Sequence, residues 1–144
     1  EAAAVWRTIG PATAAAGEDA SASDRTAEWR ERGEAVCRMV YGANYQRLRG
    51  NVAALHPALD AWMVTDGYGR TIGRPGLDLA RRELCVVAQV AVQGAERQLH
   101  SHLKGAQHAG ASATVIDGVI EAIGPMLGSA ELELVKSLWS RIRK

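Results

Sequence analysis

The chain has 144 residues, 47% of them hydrophobic, and a formal charge of +1, which suits one domain with a single core able to bury most of its apolar surface. With 17 basic and 16 acidic side chains and no basic stripe or acidic tail, neither nucleic acid nor a membrane is an expected partner. The longest strongly apolar run, residues 84–92, is far below the roughly 20 residues of a membrane span and no leader opens the sequence, so a cytoplasmic protein is expected. A chain beginning at Glu1 still leaves room for an upstream segment. Cys37 and Cys85 lack the dense spacing of a disulfide framework, and both are expected to be reduced, small hydrophobes inside helices.

Apolar residues recur at three and four spacing and nowhere alternate usefully with period two, so an all-α fold is expected. Residues 2–9 suit a short helix ended by Gly10-Pro11, and the Ala, Gly, Ser and Asp run that follows reads as a flexible connection. Residues 1–24 are therefore expected to be an arm, and residues 25–144 a single helical domain. Asp24 can cap a helix through Trp29, Ala35, Val36 and Val40 to Gly42. Short helices follow around residues 45–48 and from Val52 through Met63. Gly67, Gly69, Gly73, Pro75 and Gly76 are turn formers, so residues 66–76 read as a loop of the kind that lines sites.

Asp78 can cap the next helix, which runs to Gly94 and is apolar on nearly every face after Glu83, as a centrally buried helix would be. Another spans residues 95–109 and stops at Gly110, a residue suited to the left-handed closing conformation. Ser112 or Thr114 can cap the following helix until Gly124-Pro125 interrupts it. A last helix runs from Ser129 to the end, where Arg141, Arg143 and Lys144 complement the helix dipole. Trp6, Trp29, Trp62 and Trp139 read as core or interface anchors.

Glu83 shares a helical stripe with Val86, Val87 and Val90, so its carboxylate faces the interior and needs a partner. That partner is either Arg81, Arg82 or another arginine tying helices together, or a group with chemistry of its own. Gln98 and His102 are i and i+4 on the next helix, bordering Leu99, Leu103 and Ala106, and should meet at one spot. His102 is equally well read as a half-buried histidine satisfied by a backbone carbonyl. His100 falls with Arg97, Lys104 and Gln107 on the polar side; two rings about 200° apart suit no single metal ion, so no metal site is expected.

Arg82-Glu83-Leu84 and Gln98-Leu99-His100-Ser101-His102, together with Gly73-Arg74-Pro75-Gly76-Leu77-Asp78 and Gly105-Ala106-Gln107-His108-Ala109-Gly110, resemble the carboxymuconolactone decarboxylase family, which includes the alkylhydroperoxidase D-like enzymes. The resemblance covers about residues 41–128. It implies a helical bundle assembled as a homotrimer or homohexamer, with a glutamate and a histidine lining the site at the mutual spacing of Glu83 and His102. In the hydroperoxidase branch two cysteines precede that histidine by seven and four positions; here Ala95 and Gln98 stand there, and neither Cys37 nor Cys85 sits where the motif supplies a thiolate.

The decarboxylase branch is closer, through the stretch Tyr68-Gly69-Arg70-Thr71-Ile72-Gly73 and the Arg-Pro-Gly-Leu that follows it. That resemblance implies a lyase of aromatic catabolism that uses no cofactor and takes carbon dioxide from a small carboxylated lactone or keto acid. His102 would donate the proton, Glu83 would set its tautomer, Arg74 or Arg70 would clamp a substrate carboxylate, and Gln98 would be a polar substrate contact. Gln98 departs from the glutamate usual in decarboxylases at that position. The alternatives are a hydroperoxidase-like antioxidant using Cys85 or Cys37, and a non-catalytic oligomeric binding domain.

Overall fold

A computed structural model describes residues 24–143; apart from Asp24, the expected arm lies outside the described residues, as does Trp6. Asp24 Oδ1 accepts a hydrogen bond from the Thr26 N–H at 3.0 Å, opening α1, Thr26–Tyr41. The helix stops at Gly42, whose φ of 52° a residue with a side chain rarely adopts. A 3₁₀ turn, Gly42–Asn44, leads into α2, Tyr45–Leu55. The helix expected from Val52 through Met63 is broken at His56, which is extended and accepts from the Ala58 N–H through Nδ1 at 3.1 Å. It thereby caps α3, Pro57–Trp62, with proline at the first helical position, where its missing N–H costs nothing.

The expected loop over residues 66–76 is mostly helical. α3 runs on into a π-helical segment, Met63–Ile72, whose backbone packs directly against that of α1. A Cβ on Gly69 would stand 1.9 Å from the Trp29 carbonyl oxygen, and one on Gly33 would stand 2.0 Å from that of Val64. The glycines here permit close approach of two helices, and Arg32 Nε donates to the Gly69 carbonyl at 2.9 Å across the same contact. The irregular stretch is shorter, residues 73–78, and Arg82 holds it in shape. The Arg82 guanidinium, on a residue 8% exposed, donates to the carbonyls of Leu77 at 2.8 Å and of Arg74 and Pro75 at 3.0 Å.

Asp78 accepts from the Arg81 N–H at 2.9 Å and caps α4, Leu79–Val92. Its bond to that N–H, with the Arg81 guanidinium beside it, holds its carboxyl below the ordinary range. α5, Glu96–His108, ends as its sequence suggests, with Gly110 at φ 97° and the Ala111 N–H reaching back to the Ala106 carbonyl at 2.9 Å. Ser112 caps α6, Ala113–Ile123, by accepting from the Val115 N–H. After the 3₁₀ turn Gly124–Met126 comes α7, Ser129–Ile142. Asp117 of α6 accepts from Trp139 Nε1 at 2.7 Å and from Arg143 Nη1 at 2.8 Å, fixing α7 against it.

The fold of the described residues is all-α, with no strand among them. The interior departs from the single core expected: it holds two hydrophobic clusters. The larger joins α4 to α7 around Val87, Leu103, Ile116 and Val135; the smaller joins α1, α2 and the π segment around Cys37, Val40, Tyr45 and Tyr68. α1 packs on the π segment on one side and on α5 on the other, so the two clusters meet along the α1–α5 seam. α4 is less enclosed than its composition suggests, since Cys85, Gln89 and Val92 are exposed. No helix of the described residues is long and apolar enough to cross a membrane.

Candidate functional site

Glu83 lies one turn into α4 on the stripe it shares with Val87 and Val90, and none of it is exposed. Its Oε2 is 2.8 Å from Nδ1 of His102, which α5 presents from the opposite wall and which is 8% exposed. The arginines weighed as its partner are otherwise engaged: Arg81 pairs with Asp78, and Arg82 with the loop carbonyls. A carboxylate can only accept, so Nδ1 carries the hydrogen and the tautomer is set by Glu83. That leaves Nε2 as the nitrogen able to exchange a proton with another molecule. Glu83 Oε1 is buried and has no hydrogen-bond partner among the described residues.

The pair fits because Gly105, three residues beyond His102, has no side chain. A Cβ there would stand 2.6 Å from Glu83 Oε2 and 2.6 Å from Val40 Cγ1, so any larger residue displaces the carboxylate or α1. Tyr41, at the end of α1, sets its ring edge-on to His102 with centroids 6.2 Å apart. Tyr68 of the π segment donates its hydroxyl proton to the Tyr41 oxygen at 2.9 Å, which leaves the Tyr41 proton free to be donated in turn. Burial pushes both phenols above their ordinary pKa. The site is thus a carboxylate, an imidazole and two neutral phenols, drawn from α4, α5, α1 and the π segment.

The other residues singled out in the sequence stand apart from this pair. Gln98 is exposed one turn before His102. Arg70 is exposed and lies over the Trp29 ring, 4.9 Å from its centroid. Arg74 donates to the Thr71 carbonyl at 3.0 Å and lines a cleft with Leu77, Arg82, Cys85 and Val86, in which Glu83 and His102 take no part. Nothing in the described structure links either arginine to the pair. Tyr41 and Gly105 were not legible as site residues, since each acts on a group distant in sequence and only the Gly105-Ala106-Gln107-His108 string carried a hint; Arg82, whose carbonyl partners stand 5 to 11 residues back, was read as a candidate partner of Glu83 and not as the clasp of the loop.

The cysteines divide. Cys37 is fully buried, and burial pushes its thiol up to about 12; Cys85, expected to be a buried hydrophobe, is exposed. Iodoacetamide at pH 8 is accordingly expected to modify Cys85 alone in the folded protein and both thiols in urea, read by mass spectrometry. Rapid double modification of the folded chain would contradict the burial of Cys37.

Residues 56–138 match the model of the carboxymuconolactone decarboxylase family. The match covers more than half of the chain and spans both Glu83 and His102, and the chain belongs to this family. No curated protein matches the sequence. α1, the source of Tyr41, precedes the matched span.

Proposed function

We propose that the chain is a cofactor-independent lyase of the decarboxylase branch, acting on a small carboxylated lactone or keto acid, or catalysing a closely related proton transfer. The observation that carries this reading is the sealed carboxylate–imidazole pair, Glu83 Oε2 to His102 Nδ1 at 2.8 Å. In the step envisaged, the substrate's C–CO₂⁻ bond breaks, carbon dioxide leaves, and the electron pair passes into the conjugated carbonyl. The imidazolium of His102, its charge balanced by Glu83, then delivers the Nε2 proton to carbon and is reprotonated from solvent. What supports it over the thiol alternative is that Cys37 holds its proton to about pH 12 while Cys85 opens on another face of α4. Gln98, Arg70 and Arg74 are exposed, where a substrate or a second copy can reach them.

Carbon dioxide release from 4-carboxymuconolactone and a panel of β-keto acids tests the proposal. Glu83→Gln and His102→Gln, with helicity intact by circular dichroism, are expected to lower turnover by about 10²–10⁴-fold. Turnover equal to the parent would remove the pair from the mechanism, and no release from any substrate would leave the non-catalytic binding domain as the better reading.

Assembly belongs to the same proposal. Leu55 and Trp62, 77% and 60% exposed, lie on α2 and α3 with Leu59, an apolar surface that a second copy would cover. Light scattering is expected to give the mass of a trimer or hexamer; a single-chain mass at micromolar concentration would sink this part.

A further inference from the structure

A groove of about 470 Å³ lies between the α2 end of the smaller cluster and the outer stripe of α5. Arg97, His100, Ser101, Lys104 and His108 line it from α5, at the three and four spacing that puts them on one face. Arg47 faces them from α2, and Val40, Tyr41 and Leu48 supply an apolar wall. The lining holds three cations, two histidines and no carboxylate. Arg97 and Lys104 have no ion-pair partner among the described residues, and Arg47 only donates to Asn44 Oδ1 at 3.0 Å. His108 bonds the Val40 carbonyl through Nδ1 at 2.9 Å, so Nδ1–H is the donor and Nε2 is left for another partner.

A charge run on a solvated helix normally finds counter-charges on its neighbours. Here cations from two separate helices converge on one concavity without any, which raises the potential inside it and favours an anion. The apolar wall of Val40, Tyr41 and Leu48 suits an organic skeleton better than an inorganic ion, and the volume is that of a small-molecule site. A larger cleft nearby shares Arg97, His100 and Lys104 but also carries Glu96, which would oppose an anion. The groove also touches the pair: Tyr41 is in ring contact with His102, and Val40 lies where Gly105 makes room for Glu83.

We infer that this groove binds a small organic polycarboxylate, its acid groups on Arg47, Arg97 and Lys104 and its skeleton against Tyr41 and Leu48. The binding stands on the groove alone; that a bound ligand would be offered across Tyr41 to His102 rests on the proton-transfer reading. Calorimetric titration with benzoate, isophthalate and trimesate is the test, with trimethyl trimesate and inorganic phosphate as controls. Affinity is expected to rise with each carboxylate, to vanish for the ester, and to fall about tenfold in each of Arg97→Gln and Lys104→Gln, while Arg97→Lys keeps part of it. Both positions face solvent or nearly so, so folding is preserved, and thermal melts check it. Absence of binding, equal binding by the variants, or displacement by millimolar phosphate would overturn the inference. If the variants lose trimesate while the parent turns over no acid, the groove stands and the catalytic reading falls; if the parent turns over substrate and neither variant changes turnover or trimesate binding, the reverse holds.

Discussion

Gly33→Ala is expected to leave no stably folded protein. The added Cβ would lie 2.0 Å from the Val64 carbonyl oxygen and 2.9 Å from the Gly69 nitrogen, and both are main-chain atoms that cannot turn aside as a side chain would. Ordinary overpacking by one methylene costs about 1–3 kcal/mol because rotamers share the strain. With helix backbone on both sides, α1 and the π segment would have to separate, opening the smaller cluster and placing the loss beyond the roughly 4–5 kcal/mol that marks exceptional substitutions. Gly50→Ala is the matched control. It sits inside α2 with nothing within 4 Å of the added carbon, and helix propensity favours it by about 0.8–1 kcal/mol. Urea melts followed by circular dichroism separate the two; a Gly33→Ala protein within 1 kcal/mol of the parent would disprove the backbone contact.

Removing one member of the buried pair is expected to be the next most damaging change. In His102→Ala, Glu83 keeps its fully enclosed position while Oε2 loses the one partner the carboxylate has among the described residues, and stranding a charge in this way costs about 3–5 kcal/mol. Glu83→Gln is milder, about 1 kcal/mol, since its amide oxygen can still accept from His102 Nδ1. The double variant Glu83→Leu with His102→Leu is expected to recover most of the His102→Ala loss, because a well-packed apolar pair carries no desolvation cost. Equilibrium unfolding of the three variants reads this directly. If His102→Ala alone proved neutral, water would have to reach Glu83, contrary to its enclosure.

Much of the helical order was legible because caps act locally. Asp78, Ser112, Gly42 and Gly110 each do their work within a few residues, and each ends or begins a helix where its chemistry says it should. The break at His56-Pro57 was also local, yet the apolar spacing through Val52 and Met63 hid it. Gly69 illustrates a deeper limit: a glycine that makes a turn and a glycine that admits another helix read alike, and only the presence of Trp29 across the gap separates them. Glu83 and His102 were marked out by their inward registers and by family likeness. That they bond each other, rather than an arginine or a backbone carbonyl, depends on how α4 and α5 face one another. The anionic groove was invisible because Arg47 and Arg97 stand fifty residues apart, and the stripe on α5 looked like ordinary solvated charge.

The meeting of two hydrophobic clusters at the α1–α5 seam bears on how the molecule opens. Each cluster has the makings of a cooperative unit with its own opening free energy. α1, α2 and the π segment can detach together while α4 to α7 stay closed, and the detachment lets water reach Glu83 and His102, which α4 and α5 hold inside the larger unit. Because water relieves the desolvation of the pair, amide exchange is expected to fall into two tiers in the parent and to approach one in the variant carrying Glu83→Leu with His102→Leu, where opening the seam exposes apolar surface instead. The carboxylate and imidazole then mark the seam as the place where the molecule parts first.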